Sequence, residues 1–191
     1  MVIFHIIQIK FDKMKIGLVR HFKVISPHGK KKLNSAEFNE RMSGYDIYPV
    51  KPNDVNIDIN EWDVCFASTL SRAQTTARTI YNGNIITTPL IIEVPLSAFV
   101  ETNTRLHYMI WQIVGRIAWL FSLKSQEEIK PQTLYRIDEF IKQIESSVCQ
   151  NILIVSHGFF MKVFVRELKK RGFKGELDFS PKNGKLYRLE K

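Results

Sequence analysis

Lys15-Ile16-Gly17-Leu18-Val19-Arg20-His21 is a short apolar run that ends in an arginine and a histidine side by side, and nothing after it continues a strand pattern. Brief apolar runs bounded by polar or turn residues are how buried strands of parallel sheets read. In open α/β sheets ligands sit beyond the carboxyl ends of the strands, so an Arg-His pair at that point is placed for chemistry. Taken alone the pair is weak evidence, because charged and polar residues at a strand end are usually just solvated.

Two further stretches have the same form. Asp63-Val64-Cys65-Phe66-Ala67 reads as a buried strand ending at Ser68-Thr69, and a helical run from Arg72 to Tyr81 follows, stopped by Asn82-Gly83. Asn151-Ile152-Leu153-Ile154-Val155 is the clearest strand, ending in Ser156-His157-Gly158, with a helix from Phe159 to Lys170 behind it. A helix from about Gln132 to Ser146 carries Leu134, Ile137, Phe140, Ile141 and Ile144 at three- and four-residue spacing, one buried stripe. A turn at Pro181-Lys182-Asn183-Gly184 leads into a last strand, Lys185 to Leu189. The weaker elements are a short helix capped by Ser35, a loop from Asp46 to Asp58, a strand Ile85–Thr87 and a second strand candidate from Leu90 to Leu96. Strands alternating with helices predict an α/β sandwich with a largely parallel sheet.

A chain of 191 residues is long enough for one domain with a substantial core and short for two. Hydrophobic residues at 45% and charged residues at 25% are those of an ordinary globular protein, and a net charge of +9 suits an anionic partner. Neither basic run, Lys30-Lys31-Lys32 or Lys169-Lys170-Arg171, is interleaved with aromatics, so both read as solvated surface, with no nucleic acid expected. Cys65 and Cys149 read as reduced, buried thiols of a cytoplasmic protein. The apolar start, Met1 to Ile9, fits neither a signal peptide nor a membrane span; an extra edge strand within residues 1–14, or a true start at Met14, is expected. Leu106 to Leu123 is dense in large apolar residues, but His107, Gln112 and Arg116 interrupt it, so a core helix or a lid is expected and no membrane span.

Three strand ends thus deliver Arg20-His21, Ser68 with Arg72, and Ser156-His157-Gly158. Their joint chemistry is phosphoryl transfer. A transferring phosphoryl group spreads charge over three oxygens, and catalysis is mostly positioning and neutralisation. Arginine grips such oxygens through two N–H groups at once, and a neutral imidazole is a nucleophile able to form a covalent intermediate. Nothing in the sequence has the pattern of a Walker glycine loop, paired metal-binding aspartates or zinc-ligand spacing, so neither metal nor cofactor is expected.

Leu18-Val19-Arg20-His21, Ser68-Thr69-Leu70-Ser71-Arg72-Ala73-Gln74-Thr75-Thr76-Ala77 and Val155-Ser156-His157-Gly158 together resemble the three signatures of the histidine phosphatase superfamily, in its small phosphatase-type branch. The resemblance implies the phosphoglycerate-mutase-like fold, a three-layer α/β/α sandwich, over a single domain 1–191 with residues 94–130 as a lid insertion. It implies a metal-independent phosphatase acting on a small anionic phosphomonoester. His21 would be the nucleophile that becomes phosphohistidine, Arg20 and Arg72 would bind phosphoryl oxygens, and His157 would be the second pocket histidine. The family's proton-donating carboxylate usually follows in a Leu-x-Glu context; Leu90-Ile91-Ile92-Glu93 selects Glu93, with Glu101 as the alternative. Such an acid must hold its proton at neutral pH, which burial near the pocket favours.

The chain departs from the family pattern at Phe22, where glycine is common, and a bulky residue there is expected to narrow the pocket or redirect the loop. Phe99, Tyr108 and Trp111 in the lid segment suggest a substrate with an apolar or aromatic part. Two other functions suit the same pocket: a phosphoglycerate-type mutase, against which the short chain argues, and a binder of phosphorylated ligands without turnover. The sequence does not fix the oligomeric state.

Overall fold

The computed structural model describes residues 14–26 and 29–191. The expectation for residues 1–14 falls outside these apart from Met14, and so do His5 and His28.

The sheet has six strands: β1 (Lys15–Arg20), β5 (Val64–Ser68), β6 (Ile85–Thr88), β8 (Asn151–Ser156), β9 (Lys174–Gly175) and β10 (Leu186–Glu190). Their spatial order is β6-β5-β8-β1-β10-β9. The first four run parallel, while β10 and β9 close the edge antiparallel. Two two-stranded ribbons stand apart from it, β2 (Lys23–Val24) with β4 (Val50–Lys51) and β3 (Lys32–Leu33) with β7 (Leu106–His107). Among the described residues there are five α-helices: α1 (Ser35–Gly44), α2 (Ser71–Ile80), α3 (Tyr108–Leu120), α4 (Lys130–Glu145) and α5 (Gly158–Lys170).

Strand alternation sorts the core into two layers. Ile16, Leu18, Val64, Phe66, Ile152 and Ile154 face α4 and α5, meeting Ile137, Phe140, Ile141, Phe160 and Phe164. Val19, Cys65, Ala67, Leu153 and Val155 face α2, meeting Ala73, Ala77 and Ile80. This is the three-layer α/β arrangement expected. Trp62 lies so close over β1 that a Cβ on Gly17 would come within 2.5 Å of its ring, so only glycine fits there. A third, separate cluster joins Leu33, Phe38, Ala98 and Trp111 under α1 and α3.

Three local expectations are corrected. The cap of α1 is Asn34, not Ser35: its side chain accepts from Glu37 N at 2.9 Å and Glu37 answers by accepting from Asn34 N at 3.0 Å, a reciprocal capping box. Leu90–Leu96 is no strand; a 3-10 turn, Pro89–Ile91, runs into irregular chain. The loop Asp46–Asp58 contains β4 and follows a 3-10 turn, Tyr45–Ile47. The apolar run Leu106–Leu123 becomes β7 and α3. That helix buries Trp111, Gly115, Ala118 and Trp119 on one face and exposes Met109, Ile113, Ile117 and Leu120 on the other. Among the described residues no helix is long and apolar enough to cross a membrane.

Candidate active site

Register brings the strand ends together. Arg20 pairs with Ser156, and the ladder runs one step further, His21 N donating to Ser156 O at 2.9 Å, which sets His21 beside His157. Their rings lie 5.1 Å apart between centroids. Ala67 pairs with Val155, so Ser68 reaches the same level, and its hydroxyl is 2.8 Å from His157 Nε2. Arg72 follows in the first turn of α2.

His21 is 3% exposed, Arg72 4% and His157 0%, and Arg20 is half-buried. Arg20 Nε, Arg72 Nε and His157 Nδ1 are buried with no hydrogen-bond partner. Buried polar groups are normally paired, so three unpartnered ones at the adjoining ends of β1, β5 and β8 mark this place as a candidate site. The remaining hydrogen bonds aim these groups. Arg20 Nη1 donates to Pro181 O at 2.8 Å, and its guanidinium packs on Gly158, where a Cβ would sit 3.0 Å from Nε and Cζ. The turn before β10 holds the His21 backbone, with Asn183 Nδ2 donating to His21 O at 2.6 Å.

His21 Nδ1 lies 2.7 Å from Phe22 O. A carbonyl only accepts, so the proton is on Nδ1 and Nε2 carries the free lone pair. Burial, then the Arg72 and Arg20 charges, hold the His21 pKa down at about 3, against the weaker opposing effect of that carbonyl. Burial also pushes His157 well below its ordinary value, helped by the His21, Arg72 and Arg20 charges. Both imidazoles are therefore neutral at pH 7 in the unliganded protein.

Glu93 is held in place by backbone. Its Oε1 accepts from Val94 N at 3.0 Å and Phe160 N at 2.9 Å, and its Oε2 from Phe159 N at 3.2 Å. The last two belong to the first turn of α5, whose dipole favours an anion there. Oε2 keeps a lone pair for a proton. Glu101, by contrast, is exposed, next to Thr102, which ties to Ser35 at the start of α1. Ser156 Oγ donates to Ile91 O at 2.7 Å and anchors the segment carrying Glu93.

Phe22 does not narrow the pocket. Its side chain is fully buried among Val19, Trp62, Ala73 and Ala77, while its N–H donates to Thr76 Oγ1 at 2.8 Å. The bulky residue pins the backbone that orients His21. Phe99 and Trp111 also pack into the core, Phe99 partly buried against the fully buried Trp111: their rings are tilted with centroids 4.8 Å apart, and Trp111 Nε1 donates to Leu33 O at 2.8 Å. His107 caps α3, its Nδ1 accepting from Met109 N at 3.3 Å.

The structure adds residues that the sequence motifs did not point to. Asp46 is hydrogen-bonded to Arg72, and Tyr45 lies under the same guanidinium, 5.3 Å from ring centroid to Cζ. Arg116 Nη1 donates to Val94 O at 3.0 Å and its Cζ lies 3.9 Å over Phe159, which brings its charge to bear on Glu93. The Lys162 pKa is lowered by burial and then by the Arg20 and Arg116 charges. Arg116 interrupts an apolar run and Lys162 stands four residues after Gly158 on the first turns of α5; those placements are the only signals the sequence offered. Arg20, Arg72, Arg116 and Lys162 outnumber Glu93 and Asp46, so the surroundings of the two histidines favour an anion. Among the described residues no three His, Cys, Asp or Glu side chains come together to hold a metal ion.

The family model described as the histidine phosphatase superfamily (branch 1) matches residues 57–191, more than two thirds of the chain. The chain belongs to the histidine phosphatase superfamily. The matched span contains Arg72, Glu93 and His157; Arg20 and His21 precede it, and β1 pairing with β8 is what joins them to it. Solved structures share the fold at low identity. The product of an open reading frame from Mycobacterium tuberculosis is 17% identical with a TM-score of 0.53, over 92% of this chain and 90% of its own. The alpha-ribazole phosphatase from Shigella flexneri is 21% identical with a TM-score of 0.50, over 81% and 79%. Mycobacterial hydrolase 2 is 14% identical with a TM-score of 0.52, over 84% and 74%. No curated protein matches the sequence.

Proposed function

We propose that this histidine phosphatase-superfamily member hydrolyses a phosphomonoester without a metal ion, through a phosphohistidine on His21. The observation that carries the reading is the neutral His21 ring with Nδ1–H bound to Phe22 O and Nε2 unoccupied, among three buried donors that lack partners.

The steps follow from these groups. Arg20 and Arg72 grip the phosphoryl oxygens and displace Asp46 from Arg72. With the Ser68 hydroxyl donating to His157 Nε2, the His157 proton rests on Nδ1, the orphan atom, and Nδ1–H donates a hydrogen bond to a phosphoryl oxygen. The Nε2 lone pair of His21 attacks phosphorus, the bond from phosphorus to the ester oxygen breaks, and that oxygen takes the proton of Glu93. The positive charge that develops on the His21 ring is stabilised by Nδ1–H donating to Phe22 O. In the second half Glu93 takes a proton from water, the water oxygen bonds to phosphorus, the phosphorus–nitrogen bond breaks, and phosphate leaves. The segment 94–130 acts as the lid over this pocket. Two cysteines with no disulfide suit a reducing cytoplasmic setting.

The test is rapid quench with phosphate-labelled substrate. An acid-labile, base-stable phosphoryl label on the wild-type protein, absent from His21→Ala, is expected. Turnover with no such label overturns the covalent route, and tight phosphate binding with no turnover over a broad panel of esters makes the protein a binder. Isomerisation of phosphoglycerates outpacing hydrolysis makes it a mutase.

A further inference from the structure

Beside the phosphate pocket lies a second cavity of about 880 Å³, lined by Leu33, Arg41, Tyr45, Tyr48, Tyr108 and Met109 among others. Tyr45 belongs to both sites. It lines the cavity, lies against Arg72, and its phenol feels the Arg72, Arg20 and Glu93 charges. Through Tyr45 the space opens a path for the alcohol half of an ester whose phosphoryl group sits between His21 and His157.

Three features define what that half is. The first is size: a volume in the range of whole drug-sized ligand sites is far larger than a two- or three-carbon alcohol fills. The second is the wall. Tyr45 and Tyr108 each already hold a guanidinium, Arg72 at 5.3 Å and Arg41 at 4.9 Å from the ring centroid. Arg41 is fixed besides by donating to Lys30 O at 3.1 Å and by lying against Gly29, where no Cβ would fit. Among the described residues half-buried Tyr48 has no ring or cation stacked on it, so it offers an open aromatic face. The third is charge. Lys30 and Arg105 are paired with Glu37 at 2.9 and 3.0 Å, Arg41 is engaged, and Lys31 stands exposed at the rim. Arg20 and Arg72 are taken up by the phosphoryl group itself. No buried cation is left for a second acidic group.

We propose, on the basis of the phosphatase reading above, that this cleft seats the alcohol half of the substrate, and that this half is uncharged and carries an aromatic ring laid against Tyr48. The substrate class is then ring-bearing phosphomonoesters, not small phosphorylated acids.

Phosphonates test this without any leaving-group effect. Methylphosphonate, 3-phosphonopropionate and 2-naphthylmethylphosphonate are titrated calorimetrically into the full chain and used as competitive inhibitors of p-nitrophenyl phosphate hydrolysis. The naphthyl compound is expected to bind about tenfold more tightly than methylphosphonate, and the carboxylate compound no more tightly than it. Tyr48→Ala should erase most of the naphthyl advantage while leaving methylphosphonate binding unchanged, and Tyr48→Phe should keep it. Equal binding of the naphthyl and methyl compounds, a preference for the carboxylate, or a naphthyl advantage indifferent to Tyr48→Ala overturns the assignment. If inorganic phosphate and all three phosphonates fail to bind and no ester is turned over, the phosphatase reading falls first and takes the cleft with it.

Discussion

The phosphate pocket and the neighbouring cleft are built from different parts of the chain, in different ways. The pocket stands on three parallel strands, with His21, Ser68, Arg72 and His157 buried at or just beyond their ends. The cleft stands on α1, the start of α3 and the loops between, over a small separate cluster of Leu33, Phe38, Ala98 and Trp111. Transfer of a phosphoryl group demands fixed geometry, which central strands supply because each is braced by ladders on both sides. Selection among alcohols demands a surface that varies, and peripheral helices and loops can change without disturbing the sheet.

The contrast is broken most sharply at His21. His21→Ala should lower turnover on the order of 10⁴-fold or more while the protein stays folded, measured by steady-state kinetics and circular dichroism. The same residue gives a pH signature. Its folded pKa of about 3 lies below the unfolded value near 6.5, so the unfolded chain binds the extra proton in between. Stability from this group is complete above pH 6.5 and is lost as pH falls toward 3. His21→Asn should flatten that part of the melting-temperature profile relative to wild type, and an unchanged slope would remove the argument for a buried neutral ring.

Next in free energy is Phe22→Ala, which should cost about 3–5 kcal/mol of stability by emptying a fully buried aromatic site. Chemical denaturation measures it, and a loss under 1 kcal/mol would contradict the packing described. Glu93→Gln should slow hydrolysis about 10²-fold for alkyl phosphates and far less for p-nitrophenyl phosphate, whose leaving oxygen needs no proton. Equal losses on both esters would deny Glu93 the acid role. The smallest effect belongs to the cleft's support. Trp111→Phe leaves Leu33 O without its donor and should cost about 1–2 kcal/mol, with methylphosphonate affinity unchanged. A matching loss of methylphosphonate affinity would mean that the two regions are mechanically one.

The strands of the site and α5 were readable because a buried parallel strand is an unbroken apolar run, and each of these runs stops at a polar residue with a helix behind the second and third. Leu90–Leu96 misled because it is equally apolar, yet its backbone groups find partners other than a strand. Leu90 O and Ile92 O accept from Arg136 Nη1 at 2.8 and 3.0 Å, Ile91 O from Ser156, and Val94 O from Arg116. Those donors lie 22 to 65 residues away, and no local pattern announces them. Phe22 misled for a related reason: a large residue after the nucleophile reads as an obstruction until the turn of the backbone sends it into the core.

By itself the sequence determined the strands β1, β5 and β8, the helices behind the last two, and the placing of Arg20, His21, Arg72 and His157 at their ends, because each of these is written in local spacing and residue type. Only the tertiary structure decided that His21 turns Nδ1 to Phe22 O, that Asp46 occupies Arg72, that Arg116 and Lys162 bring their charges near, and that a tyrosine-lined cleft shares Tyr45 with the site. All four depend on which distant backbone or side chain fills the space beside a group, and strand register and helix packing fix that only when the whole chain is folded.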